Sequence, residues 1–73
     1  MKKETIIELM NNESYNESSF YNAIYFQPTS GMFLYADKYI KSESIIELID
    51  NKVIENVGPH THQGELMIKY ILI

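Results

Sequence analysis

The sequence predicts an α+β fold: an αββαββ chain forming a four-stranded antiparallel sheet with two short helices on one face. Three observations predict it. The segment Lys2 to Asn12 returns as Lys41 to Asn51, with seven of eleven positions identical. Each copy is followed by an apolar or aromatic run, a Pro-to-Gly segment (Pro28 to Gly31, Pro59 to Gly64) and a second apolar run. Within the repeat the apolar spacing is helical, and after it the chain is rich in aromatic and β-branched residues. A tandem repeat of one αββ unit accounts for all three. Residues 1–73 are then a single domain built from units at about 2–40 and 41–73.

The first helix opens on Thr5-Ile6-Ile7-Glu8, which has the form of a capping box. The Thr hydroxyl can accept from the third helical amide while the Glu reaches back to the cap amide. Ser44-Ile45-Ile46-Glu47 repeats the pattern. In both copies apolar residues fall at i, i+3 and i+4 (Ile6, Leu9, Met10; Ile45, Leu48, Ile49), which places them on one helical face. Asn12 and Asn51 stand where a left-handed closing residue is expected. Two helices follow, near 4–12 and 43–51. Both are too short to persist without packing.

Asn11 to Ser19 is polar and reads as a loop, and Phe20 to Phe26 suits a pleated, half-buried surface. Pro28 to Gly31 turns the chain and Met32 to Ile40 is the return strand. In the second unit Lys52 to Val57 and Glu65 to Ile73 take the same parts around a loop from Gly58 to Gly64. With Gln27 opposite Met32, one face of the first hairpin carries Phe20, Ile24, Phe26, Phe33, Tyr35 and Tyr39. The other carries Tyr21, Ala23, Tyr25, Met32, Leu34, Ala36 and Ile40, so both faces are apolar. Pairing Val57 with Glu65 gives the second hairpin one apolar and one mixed face. Two helices can cover one side of this sheet, leaving about half of the other aromatic and uncovered.

Composition narrows the function. An apolar content of 45% with 22% charged residues argues for an ordered chain rather than a disordered one. A chain of 73 residues buries only about 60% of its unfolded surface, so added burial against a partner would help it. Net charge is −4, and the six lysines are scattered without any arginine. A nucleic-acid binder needs a basic stripe to release counterions, so no nucleic-acid partner is expected. The N-terminus meets Glu4 and Glu8 at once and has no continuous apolar stretch, so neither a signal peptide nor a membrane partner is expected, and a cytoplasmic location follows. Without cysteine there can be no disulfide or thiolate metal site.

No residue set specifies a reaction, and the chain is read as non-enzymatic with no cofactor. Thr5 and Ser44 are explained as caps rather than nucleophiles, and the acidic pairs Glu4/Glu8 and Glu43/Glu47 as outer helix faces. His60-Thr61-His62 followed by Glu65 has the composition of a metal site, but no third histidine completes it and a solvated loop is the reading. The segments Glu8-Leu9-Met10-Asn11 and Glu47-Leu48-Ile49-Asp50, each opening an αββ unit, resemble the LAGLIDADG homing endonucleases in order of elements. Glu8 and Glu47 occupy the place of that family's small packing residue, and Lys52 the place of its metal-binding acid, so its activity is not carried over.

The aromatic excess of the first hairpin is the functional signal. Tyrosine brings large contact area with few rotamers to freeze and a hydroxyl that tolerates water. Tyr21, Tyr25, Phe33, Tyr35 and Tyr39 are therefore the expected partner-binding residues. The expectation is a small acidic regulator or inhibitor that binds another protein, or a homodimer. An abundance of Ile, Asn, Lys and Tyr fits the A+T-rich genes of low-GC bacteria, their phages and mobile elements. The alternatives are a self-associating structural module and a small-ligand binder using the 58–65 loop.

Overall fold

The computed structural model describes residues 2–12 and 21–73. The chain is α+β, with helix α1 (Lys3–Asn11), strands β1 (Ile24–Gln27), β2 (Met32–Tyr35) and β3 (Lys38–Ile40), helix α2 (Ser42–Asp50), and strands β4 (Ile54–His62) and β5 (Glu65–Leu72). All five strands pair antiparallel in the order β3-β2-β1-β5-β4. The sheet thus has five strands rather than the expected four, because Met32 to Ile40 is not one strand. It folds back at Ala36-Asp37, where φ is 50° and 63°, the two positive values a two-residue hairpin turn needs. The first unit is therefore αβββ and the second αββ, so the sequence repeat does not produce two equivalent units. The expected strand start at Phe20 and most of the Asn11–Ser19 loop lie outside the described residues.

Both helices start three residues earlier than a capping box at Thr5 or Ser44 would place them. Lys2 and Lys41 occupy the cap positions with extended backbone, and neither makes a side-chain cap. Thr5 and Ser44 are already in the third helical position. The reason is clearest in α2: Ile40 ends β3 and the chain turns directly into helix at Lys41, leaving no room for Ser44 as a cap. Glu4 and Glu43 in the first turns complement the helix dipoles.

The closing residues also differ from expectation. Asn12 is extended and Asn51 has φ −85°. The left-handed residue is Lys52, at φ 58°. Lys52 N–H donates to Ile49 O at 3.0 Å and Val53 N–H to Leu48 O at 2.9 Å, the paired bonds of a Schellman motif. Val53 and Leu48 line the same crevice, which supplies the motif's apolar contact. A side chain in this conformation is strained where glycine is not. Lys52→Gly is therefore expected to raise stability by about 0.5–1 kcal/mol in urea unfolding; a loss instead would mean that the lysine side chain holds the turn.

Ile6 and Ile45, equivalent in the repeat, are both fully buried under the helices. Beyond them the copies diverge: α1 buries Met10 and α2 buries Leu48. These side chains pack on Ile24, Phe33, Tyr35, Ile40 and Ile54 of the sheet. A second cluster of Ala23, Tyr25, Leu34 and Met67, joined by Ile71, lies on the opposite face. The expected pairing of Gln27 with Met32 is present. Because of the turn at Ala36-Asp37, Leu34 pairs with Tyr39 and Phe33 with Ile40, which exchanges Tyr39 and Ile40 between faces relative to the sequence reading.

Candidate functional site

The second hairpin decides what becomes of the open face. Its loop is not Gly58 to Gly64: β4 runs through to His62, the turn is Gln63-Gly64, and His62 pairs with Glu65. Val57 has no pairing with Glu65. Instead Asn56 pairs with Tyr70 and Gly58 with Lys69, which makes Val57 the extra residue of a β-bulge. Glycine and proline read as loop punctuation in the sequence. On an edge strand, however, Pro59 need not donate to a neighbour, and Gly58 takes the bulge's φ of 99°. A Cβ at Gly58 would meet nothing within 4 Å, so its requirement is conformational rather than steric.

A bulge increases local twist, and the consequence is visible at Tyr25. In the sheet, β5 lies between β1 and β4, so a flat arrangement would hold β4 side chains about 10 Å from Tyr25. The His62 ring instead stacks on the Tyr25 ring with centroids 4.0 Å apart and planes 13° from parallel, and His60 lies at 5.8 Å. The far half of the hairpin has coiled across the open face. Tyr25 is only 2% exposed as a result.

Side chains pin this cover at both ends. Gln27 Nε2 donates to Glu65 Oε2 at 2.7 Å, and Thr29 Oγ1 approaches Glu65 Oε1 at 3.5 Å. Gln63 Nε2 donates to Asp37 Oδ1 at 3.3 Å, in the β2–β3 turn. Gln27 Oε1 also accepts from Ser30 Oγ and, at 3.1 Å, from the Tyr39 hydroxyl. His62 is held below the ordinary histidine pKa first by burial and then by the nearby His60, with Asp37 pulling the other way.

The five expected contact residues do not come together. Phe33 and Tyr35 are buried under the helices, Phe33 between Phe26 and Tyr70, with ring centroids at 5.0 and 5.9 Å. Tyr21 is half-buried on that same side, edge-on to Tyr35, whose hydroxyl donates to Tyr21 O at 2.6 Å. Tyr25 and Tyr39 share the open face, Tyr25 covered and Tyr39 54% exposed. Met32, 39% exposed, is the cross-strand partner of Gln27. The Tyr39 hydroxyl reaches Gln27, so the Tyr39 ring spans β2 beside Met32. Tyr39 and Met32 are thus exposed apolar side chains on the open face, with Asp37 in the adjoining turn, Glu65 bonded to the same Gln27, and Lys2 and Lys41 lining a cleft with Tyr39.

Two surface clefts are sparse in chemistry. One at the end of α1 is lined by Met10, Asn11, Asn22 and Lys69, and another at the helix starts by Lys2, Lys41, Ser44 and Tyr39. Each has lysine but no carboxylate or histidine to work with it. Among the described residues no group of three or more His, Cys, Asp or Glu is placed to hold a metal ion. No described helix is long and apolar enough to cross a membrane.

Compared with known protein families, curated proteins and solved structures, the chain has no significant match. Its site must be read from its own residues. Sequence reading missed Met32, Gln27, His60, His62 and Glu65 as one neighbourhood, since His62 and Tyr25 are far apart in the chain and meet only through the bulge.

Proposed function

We propose that this chain is a non-enzymatic protein-binding module, a small acidic regulator that uses the Tyr39 end of its open sheet face. The observation that carries the reading is the exposed pair Tyr39 and Met32, held in place by the Tyr39–Gln27 hydrogen bond beside the edge strand β3. An aromatic ring and a methionine at a sheet edge offer apolar contact at small entropic cost, and with Asp37 and Glu65 on one side and Lys2 and Lys41 on the other the surroundings favour a partner surface of mixed charge. An inhibitor of phage or mobile-element origin remains the setting that best suits the size, charge and composition. Residues 58–62, which the small-ligand alternative reads as loop, are strand.

The test is cross-linking and affinity capture from the native host with the wild type and three variants. Tyr39→Ser and Met32→Glu are each expected to weaken retention at least about tenfold, as central contact residues do, with circular dichroism unchanged. Leu66→Ser, at an exposed apolar position on the opposite face, should retain the partner. Equal retention by all three variants would refute the assignment. A dimer that dissociates on dilution and is abolished by Tyr39→Ser would instead assign the patch to self-association.

A further inference from the structure

We infer that His60 and His62 form a two-point chelate for a divalent late-transition-metal ion, Cu²⁺ most tightly, on the open face of the β4–β5 hairpin. This site is independent of the proposed protein-binding role and goes beyond it.

The strand is what makes the two histidines a pair. In a loop a His-x-His has no fixed geometry, but here β4 carries both residues in register, His60 opposite Met67 and His62 opposite Glu65. Alternate residues of a strand point to one side with their Cα atoms about 6.5 Å apart. Both imidazoles therefore stand over the open face, and Tyr25 fixes how they lie there. The His62 plane is 13° from that of the Tyr25 ring and the His60 plane 31°, with centroids 4.0 and 5.8 Å away. The two rings thus rest side by side on a common aromatic floor. An imidazole lone pair lies in the plane of its ring, so neighbouring rings in this attitude can turn donors toward the gap between them. Two imidazoles sharing one ion at metal–nitrogen distances of about 2.0–2.1 Å have ring centres on the order of 4.5–6 Å apart, within the span that the strand sets.

The surroundings suit an ion. Burial first, and His60 second, hold His62 below the ordinary histidine pKa, which leaves its lone pair free at neutral pH. His60 is exposed, so an ion can enter from solvent and water can fill its remaining positions. The Tyr25 ring beneath and the Gln63–Asp37 bond beyond His62 hold the pair in place before an ion arrives, which lowers the cost of ordering it on binding. Glu65, opposite His62 on the same face, has its carboxylate engaged by Gln27 and Thr29, so the protein donors are the two nitrogens. With two nitrogens and water, affinity follows the order of the late first-row ions, Cu²⁺ above both Ni²⁺ and Zn²⁺. The hard ions Mg²⁺ and Ca²⁺ select oxygen donors and are not held.

Titration of the whole chain with Cu²⁺, Ni²⁺, Zn²⁺ and Mg²⁺ at about pH 7.5, above the histidine range, tests the site by calorimetry and NMR. The expected result is one ion per chain, with Cu²⁺ tightest and Mg²⁺ not bound. Paramagnetic Cu²⁺ should broaden the signals of His60, His62, Tyr25 and Met67 before those of Ile6 and Ile45 on the helix side. His60→Gln and His62→Gln should each weaken Cu²⁺ binding at least about tenfold. Because His60 is exposed, His60→Gln should do so with the circular dichroism and the Tyr25–His62 ring contacts unchanged. Thr61→Ala, between the two histidines and directed to the opposite face, should bind as the wild type does. Undiminished Cu²⁺ affinity in His60→Gln would overturn the inference. So would Mg²⁺ binding as tight as Cu²⁺, or earliest broadening at residues remote from Tyr25. None of these outcomes involves a partner protein, so failure here is distinct from failure of the binding role.

Discussion

Tyr25→Ala is expected to destabilise the fold by about 3–5 kcal/mol, while Tyr39→Ala leaves stability within about 0.5 kcal/mol of the wild type. The two residues are the same amino acid on the same sheet face. Tyr25 is wholly enclosed by Leu34, Met67 and the histidine rings, whereas Tyr39 keeps more than half its surface in water. Removing a buried aromatic side chain costs about 3–5 kcal/mol, because the cavity collapses only in part. A domain of 73 residues has a total stability of roughly 4–11 kcal/mol on the usual per-residue scale. The first cost is comparable with the lower end of that total and the second is negligible against it. Urea unfolding followed by circular dichroism measures both. A small effect at Tyr25 would mean that the hairpin does not close over it in solution.

The helix layer gives the second large effect. Ile45→Ala and Ile6→Ala should each destabilise by about 2–5 kcal/mol, since both side chains are completely buried between helix and sheet. Ile46→Ala, one residue along α2 and 48% exposed, should change stability by no more than about 0.5 kcal/mol. Thermal unfolding of the three variants is sufficient. Equal losses at Ile45 and Ile46 would show that α2 is rotated from the orientation described. The Lys3–Glu47 ion pair that links the two helices lies at the surface and is not expected to compensate either core loss.

These contrasts separate what each level of structure decides. Helical spacing alone located both helices to within one residue of their observed ends and picked out Ile6, Met10, Ile45 and Leu48 as inward-facing, because period and burial are linked by local geometry. It did not locate the caps. Where a helix starts depended on how soon β3 had to end, which is a property of the sheet rather than of Ser44. The register of Gln27 with Met32 was legible because Pro28 to Gly31 marks a turn by composition.

The turn at Ala36-Asp37 carries no such mark. Neither residue is glycine or asparagine, and their left-handed conformation is imposed by the strands on either side. That one unmarked turn changed the strand count and moved Tyr39 to the open face. Likewise, the five aromatic residues read as one contact surface were divided between a helix-side core, a hairpin-covered core and solvent. By itself the sequence determined an α+β domain with two packed helices, and an apolar sheet too rich in rings for one face. Which rings reach solvent was decided only by tertiary structure, because the bulge at Gly58 carries His60 and His62 over a ring that their place in the chain puts far away.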